Sequence, residues 1–135
     1  MARADSVDAA GVAGVEAARQ RWASAFNAGD LSGLLGLYHV DAVLWGTTSP
    51  MLLHTPEGIA AYFERTFASR PAPQVQMGDA RIRLLGDVAL CSGGYTLRLG
   101  GPAGEVRCLA ARFSMAYRSV GGRWLIVDHH SSVSP

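Results

Sequence analysis

Lysine is absent from this sequence: all twelve basic residues are arginines, and with eleven acidic residues they leave a formal net charge of +1. So balanced a chain has no electrostatic footprint for a nucleic-acid backbone or an anionic membrane. Only two cysteines occur, Cys91 and Cys108, too few for a disulfide scaffold or a four-thiolate zinc site. No apolar run approaches the ~20 residues of a bilayer-spanning helix. Acidic residues around the small apolar stretch 9–15 argue against a secretory signal peptide.

What is present is apolar. Hydrophobic residues make up 49% of the 135 positions and charged residues 17%, which excludes a disordered chain. The length suits one domain rather than two cores. We therefore expect a single domain over residues 1–135 with a flexible lead over residues 1–8, located in the cytoplasm, with neither a nucleic acid nor a membrane as partner.

The first half of the chain predicts helices. One apolar stripe recurs every three to four positions, as in a helix that lies on a core. Its members are Val12, Val15, Ala18, Arg19, Trp22, Ala25 and Phe26. Gly29 and Asp30 then suit a helix end and the N-cap of a short second helix that reaches Tyr38. Positions 41–45 read as a brief strand, and Thr55-Pro56 begins a third helix.

From position 74 onward the hydrophobic period changes to two. Turn residues at 86–87, 100–104 and 121–122 divide this part into four long strands. Three helices followed by an antiparallel meander predict an α+β domain whose helices cover one sheet face.

The turns also predict strand registers, with Leu85 opposite Val88, Leu99 opposite Glu105, and Arg118 opposite Arg123. One face then becomes consistently hydrophobic, and a slip of one residue destroys this pattern. That inner face carries Ile82, Leu84, Leu97, Leu109, Phe113, Met115, Tyr117, Trp124 and Ile126.

Small residues on the predicted inner face suggest a cavity. Gly78, Ala80, Gly93 and Ala111 are too small to fill the layer, and the same register points Asp128 and His130 toward them. A carboxylate and an imidazole in a pocket are groups whose pKa values a site perturbs. The alternative is that both merely satisfy buried helix ends or loop amides. The candidate ligand-binding residues are Trp45, Tyr95, Phe113, Met115, Asp128 and His130.

The predicted outer sheet face is too apolar for a freely solvated surface. Small side chains with interspersed arginine suit a sheet-to-sheet interface of two-fold symmetry, so we expect a homodimer or a higher homo-oligomer. A mixed solvent-facing surface is the alternative. The predicted interface comprises Leu90, Ala110, Arg112, Ser114, Ala116, Leu125 and Val127.

Metal and cofactor signals are weak. His129 and His130 project to opposite faces of a strand and cannot share a metal ion. The glycine-rich stretch 100–104 lies between strands and does not open a helix, unlike a phosphate-binding loop. We therefore predict no metal and no cofactor.

Several segments resemble the NTF2-like superfamily: Trp22 to Asp30, Ala42 to Pro50, and Thr55 to Ile59. The C-terminal run from Arg112 to Pro135, with its Trp…His-His-Ser-Ser…Pro ending, resembles bacterial proteins similar to the calcium/calmodulin-dependent kinase II association domain, in the SnoaL-like or enediyne-biosynthesis-like groups. The resemblance implies a cystatin-like cone, a curved antiparallel sheet wrapped around a long N-terminal helix with a pocket inside, and oligomers built through the outer sheet face.

The kinase branch itself is a poor guide to this pocket. Its pocket arginines align with Tyr95, Met115 and Ser131, so the anion-binding pocket of that branch is not carried over. A link to calmodulin is only nominal. Fold alone does not transfer the activities of ketosteroid isomerase or the polyketide cyclases.

The sequence is compatible with three functions. The leading hypothesis is an oligomeric domain whose pocket binds a small, largely apolar metabolite. The second is a cofactor-free isomerase, cyclase or dehydratase in which His130 transfers a proton and Asp128 assists. The third is an oligomerisation scaffold with an inert pocket.

Overall fold

The computed structural model describes the backbone of residues 2–135 and the side chains of residues 8–135. Within that range the chain forms the predicted α+β domain of helices followed by a long meander. The elements are α1 (Ala2–Ala28), α2 (Leu31–Leu35), β1 (Tyr38–Trp45), α3 (Pro56–Ala68), β2 (Gln74–Leu85), β3 (Val88–Gly100), β4 (Val106–Val120) and β5 (Arg123–Val133).

The five strands form one sheet in the order β1-β5-β4-β3-β2. Strands β2 to β5 are the predicted antiparallel meander, whereas β1 lies parallel to β5 and makes the sheet mixed. The second helix is shorter than predicted, because it ends at Leu35 and Tyr38 already begins β1. This correction places the Tyr38 side chain on the sheet rather than on a helix.

Helix α1 lies on the inner sheet face with Val15, Trp22 and Phe26 buried, as the stripe predicted. Arg19 is also buried; its guanidinium contacts the Glu16 carboxylate at 2.8 Å and donates to the Gly78 carbonyl at 3.1 Å. The hydrogen bonds that Arg19 and Gln20 donate to the Glu16 carboxylate lower the pKa of Glu16. The charge therefore has partners where α1 crosses β2.

The predicted flexible lead falls mostly outside what is described. The backbone is helical from Ala2, but the side chains of residues 1–7 lie outside the described residues, so the flexibility of the lead stays a prediction.

Helix ends follow the local sequence. Gly29 adopts a φ of +65°, the left-handed conformation that closes a helix, and the Asp30 side chain accepts a hydrogen bond from the Gly33 amide at 2.9 Å. Thr55 caps α3 in the same way by accepting from the Gly58 amide at 3.0 Å. Pro56 occupies the first turn, where its missing amide hydrogen costs nothing.

The predicted hairpin registers are correct near one turn and shifted elsewhere. Leu85 lies opposite Val88, but an irregularity between Met77 and Ala80 places Tyr95 opposite Met77 rather than Gly78. Between β3 and β4 the register differs by two residues, since Leu99 faces Arg107. A shift of two preserves the alternation of side chains, so the predicted hydrophobic residues of β3 and β4 still face the helices.

Strand β5 departs from the predicted alternation at a β-bulge. Tyr117 lies opposite Ile126 whereas Ala116 lies opposite Asp128, so Val127 is the extra residue. One inserted residue moves every following side chain to the other face. The inner-face placement of Asp128 and His130 is therefore wrong: both are exposed, and His129 is buried instead.

Candidate functional site

A cavity of about 530 Å³ opens between the helices and the inner sheet face. Its buried wall is apolar, formed by side chains of α1, β1, α3, β2 and β3, including Trp22, Phe26, Leu44, Phe63, Val75 and Leu97. Polar side chains also line the cavity: the buried inner end carries His129 and Ser131, and the remaining ones are Thr47, Thr48, Tyr62, Arg65, Thr66, Ser69, Arg70 and Tyr95. An apolar space with a few placed polar groups is the usual form of a small-molecule site.

His129 is the centre of a hydrogen-bonded chain behind this wall. Its Nδ1 atom lies 2.9 Å from the Tyr38 hydroxyl, and its Nε2 atom lies 2.8 Å from the Ser131 hydroxyl. The indole Nε1 of Trp22 donates to the same Tyr38 oxygen at 3.0 Å. Four side chains from α1, β1 and β5 are thereby linked in one line that ends at the cavity.

The chemistry of the partners assigns a direction to this chain. An indole nitrogen only donates, so the Tyr38 oxygen accepts from Trp22 and its own hydrogen is free for His129 Nδ1. With Tyr38 as the donor to Nδ1, the neutral imidazole carries its hydrogen on Nε2, and the Ser131 oxygen, 2.8 Å away, accepts it in this tautomer. Since Ser131 accepts from the imidazole, its own hydroxyl hydrogen is available to a group in the cavity.

Burial keeps the two titratable members of this hydrogen-bonded line, Tyr38 and His129, uncharged. Removal from water, together with the neighbouring His130, lowers the pKa of His129 to about 3. Burial likewise raises the pKa of Tyr38 well above its ordinary value. Near neutral pH the imidazole is therefore unprotonated and the phenol protonated, which is the state that the hydrogen-bond directions require.

Tyr95 and Thr47 form a second polar point. Their hydroxyl oxygens lie 3.2 Å apart, and both residues line the cavity. Tyr95 comes from β3 and Thr47 follows the end of β1. Tyr95 lines the cavity, and its role in ligand binding stays a prediction.

Gly46 shapes the wall beside this point. A Cβ atom at Gly46 would overlap the ring of Tyr62, a cavity-lining residue of α3. The absence of a side chain at the end of β1 therefore allows α3 to pack its aromatic ring directly on the strand.

Three other predicted ligand-binding residues lie elsewhere. Phe113 and Met115 are each 4% exposed and belong to the hydrophobic core. Trp45 is 41% exposed and pairs with His130, on the outer side of the sheet. None of the three lines the cavity. Successive side chains of a strand point to opposite faces. Since the neighbouring Leu44 is buried, Trp45 points to the outer face.

The predicted cavity floor is also wrong. None of the four small residues, Gly78, Ala80, Gly93 and Ala111, lines the 530 Å³ space. Gly93 instead allows close approach of the backbone where β2 is irregular, since a Cβ there would overlap the Asp79 carbonyl oxygen. The missing side chain of Gly93 therefore serves the close approach of β2 and β3 rather than the 530 Å³ cavity.

The residues that sequence reasoning missed are His129 and Ser131, with Tyr38 behind them. His129 and Ser131 alternate with the two residues that were chosen, Asp128 and His130. The pattern that follows the bulge, with buried residues at 129 and 131, becomes visible only once Val127 is recognised as the extra residue.

The outer sheet face carries the residues predicted for self-association. Ala110, Arg112 and Ser114 are exposed and alternate with buried Ala111 and Phe113. The other predicted members, Leu90, Ala116, Leu125 and Val127, are half-buried. A shallow depression of about 400 Å³ lies on this face beside His130, where Arg112 Nε donates to the Ser132 hydroxyl at 3.2 Å.

Within residues 8–135 no group of three or more His, Cys, Asp and Glu side chains is arranged to hold a metal ion. Cys91 is buried and Cys108 exposed, and both are free thiols. Burial raises the pKa of Cys91. None of the helices in the described part of the chain combines the length and apolar character that crossing a bilayer requires.

The fold and its internal cavity define a cystatin-like domain of the NTF2-like type. A Caulobacter vibrioides protein with a cystatin-like fold superimposes with a TM-score of 0.80 at 13% identity, over 93% of this chain and 90% of its own. A Streptomyces avermitilis protein, provisionally assigned as a dehydratase of the NTF2-like family, gives a TM-score of 0.83 at 18% identity, over 91% and 95% of the two chains. At these identities the likeness concerns the fold.

The family follows from residues 15–135, which match the SnoaL-like domain: the chain belongs to the SnoaL-like family. A Xanthomonas campestris protein, provisionally assigned as a calcium/calmodulin-dependent protein kinase II association domain, is 33% identical with a TM-score of 0.81, over 90% of this chain and 86% of its own. No curated protein matches the sequence at a significant level. The resemblance drawn from the sequence is confirmed.

Proposed function

We propose that this protein binds a small, largely apolar organic molecule in the 530 Å³ cavity. The observation that carries the proposal is the Ser131 hydroxyl, which lines the cavity with its oxygen 2.8 Å from His129 Nε2. In the tautomer with the imidazole hydrogen on Nε2, the Ser131 hydrogen is left for a guest. A carbonyl or ether oxygen of the guest accepts from Ser131, while aromatic walls such as Trp22 and Phe63 contact its apolar body.

Binding is favoured over proton transfer because the imidazole among the described cavity-lining residues is a poor base near neutral pH. Efficient general acid–base catalysis near neutral pH needs a group whose pKa lies near the working pH. His129 is the imidazole at the cavity, and its pKa of about 3 leaves it a very weak base. The pair chosen for the enzyme hypothesis, Asp128 and His130, is exposed on the opposite face.

The test is a fluorescence titration with anilinonaphthalene, a neutral apolar dye that brightens when it leaves water. We expect saturable binding to the wild-type protein and at least a roughly tenfold loss in Leu97→Trp, whose larger side chain occupies part of the cavity and obstructs a ring-sized guest. The control is Leu85→Trp, at a position that is 59% exposed. Should Leu97→Trp not fold, Val75→Phe replaces it. The proposal would be overturned if a folded Leu97→Trp or Val75→Phe variant bound the dye as tightly as the wild type.

We also propose self-association through the outer sheet face. The small side chains at Ala110, Ser114 and Ala116 allow two sheets to approach closely. Arg112 is exposed there and retains guanidinium donors beyond the Nε that is bonded to Ser132. The name of the Xanthomonas relative, an association domain, supports this proposal.

A further inference from the structure

The charged groups at the cavity are all of one sign. Arg65 and Arg70 belong to its lining, and within the described part of the chain no Asp or Glu side chain does. Both arginines are exposed, whereas His129 and Ser131 are buried. The cavity therefore has a neutral, hydrogen-bonding inner end and a cationic rim.

The guanidinium group of Arg65 has unused hydrogen-bond donors. Among the described residues no carboxylate lies within ion-pair distance of it, and none of its nitrogens is hydrogen-bonded within the chain. Its neighbour Glu64 is exposed and does not line the cavity. The Arg65 charge is thus unneutralised beside a largely apolar space, where a ligand anion is its natural partner.

Arg70 is held in place at the rim. Its NH1 nitrogen donates to the carbonyls of Phe67, at 2.6 Å, and Ser69, at 2.8 Å. The remaining Nε and NH2 donors have no acceptor within the described residues. Because one nitrogen fixes the guanidinium on the end of α3, the free donors lose less entropy when they bind an anion.

The competing role for both arginines is local. A cation near the last turn of a helix offsets its dipole, and α3 ends at Ala68. That role alone predicts a change in stability after substitution and no change in ligand preference, so the two roles give different measurements.

We infer that the ligand is an amphiphilic organic anion: an apolar, ring-sized body inside the cavity and one anionic group that Arg65 and Arg70 bind at the rim. This inference rests on the proposed function, because it specifies the charge of the molecule that enters the same cavity. The anionic group stays near solvent, which avoids the cost of burying it.

The experiment compares two dyes that differ in one group: neutral anilinonaphthalene and anilinonaphthalene sulfonate. Wild-type protein is expected to bind the sulfonate about tenfold more tightly, with a preference that shrinks as salt is added. The double variant Arg65→Gln/Arg70→Gln should lose this preference and bind the two dyes with nearly equal affinity. The matched control is Arg98→Gln/Arg107→Gln, which removes the same charge at exposed positions that do not line the cavity.

Each result separates this inference from the proposed function. If neither dye binds, or if Leu97→Trp leaves both affinities unchanged, cavity binding itself fails. If the wild type binds both dyes at that cavity with equal affinity, cavity binding stands and the anionic ligand is wrong. The same holds if Arg65→Gln/Arg70→Gln changes the thermal midpoint and leaves the sulfonate preference intact. If the double variant does not fold, the single variants Arg65→Gln and Arg70→Gln are each expected to lose part of the preference.

Discussion

The Nδ1 atom of His129 and the hydroxyl of Tyr38 lie 2.9 Å apart although 91 positions separate the two residues in the chain. This hydrogen bond joins β1, the parallel edge strand, to β5 at the back of the cavity. Trp22 of α1 contacts the same pair, through its indole nitrogen on Tyr38 and an edge-to-face ring contact at 5.8 Å with His129. The helix, the edge strand and the bulged strand are thus fixed at one point.

Tyr38→Phe should lower the free energy of unfolding by about 2 kcal/mol, because it leaves the Trp22 indole N–H and the His129 Nδ1 buried without a partner. Urea unfolding followed by circular dichroism measures the change. Tyr62→Phe is the control, since no hydrogen bond of its hydroxyl occurs among the described residues. Equal stability of Tyr38→Phe and the wild type would show that the hydrogen bonds of the Tyr38 hydroxyl do not contribute to the free energy of unfolding.

Acidification should destabilise the protein through His129. An unfolded imidazole takes up a proton near its ordinary pKa of 6.5, whereas the folded one resists until about 3. Between these two pKa values the unfolded state binds more protons than the folded state. The contribution of His129 to the free energy of unfolding is therefore complete above pH 6.5 and is lost as the pH falls. The loss reaches at most about 1.4 kcal/mol per pH unit.

Urea midpoints from about pH 7 to about pH 5 measure this slope. His129→Gln should flatten it, since no imidazole remains to titrate there, even though the variant is less stable near neutral pH. His130→Gln, an exposed neighbour, should keep nearly the wild-type slope. A His129→Gln slope as steep as that of the wild type would place the acid sensitivity elsewhere.

Gly46→Ala should displace the Tyr62 ring, because the added Cβ would overlap it. We expect a loss of about 1–3 kcal/mol in stability, together with weaker dye binding, since the ring forms part of the cavity wall. Gly36→Ala is the matched control: its Cβ would lie at an ordinary 3.5 Å from the Ser32 carbonyl oxygen, on a helical backbone. Thermal unfolding measures both variants, and equal midpoints for Gly46→Ala and Gly36→Ala would contradict the prediction.

The double variant Ala116→Glu/Val127→Glu should dissociate the proposed oligomer, because each protomer would bury two uncompensated charges against its partner. Light scattering measures the mass, and circular dichroism checks that the variant is folded. The control pair is Val40→Glu and Leu52→Glu, at exposed positions outside the predicted interface. A wild-type protein that is monomeric at micromolar concentration would refute the oligomer outright.

The sequence by itself determined the elements of this protein. Local signals set the N-terminal ends of α2 and α3, because a capping side chain and a proline act within one turn. Alternation within each strand was enough to identify the hydrophobic inner face of β3 and β4, since a register error of two residues leaves every side chain on its proper side. The family resemblance depends on the same linear features.

Only the tertiary structure decided which face each residue of the C-terminal strand presents. Val127 is an ordinary β-former, and nothing beside it in the sequence marks an extra residue. The bulge is seen only in the pairing of β5 with β4, where Ile126 and Asp128 lie opposite the successive residues Tyr117 and Ala116. That single insertion turned Asp128 and His130 outward and brought His129 and Ser131 to the cavity. The partner of His129, Tyr38, could not be found from spacing, because a parallel contact between distant strands depends on how the whole sheet closes.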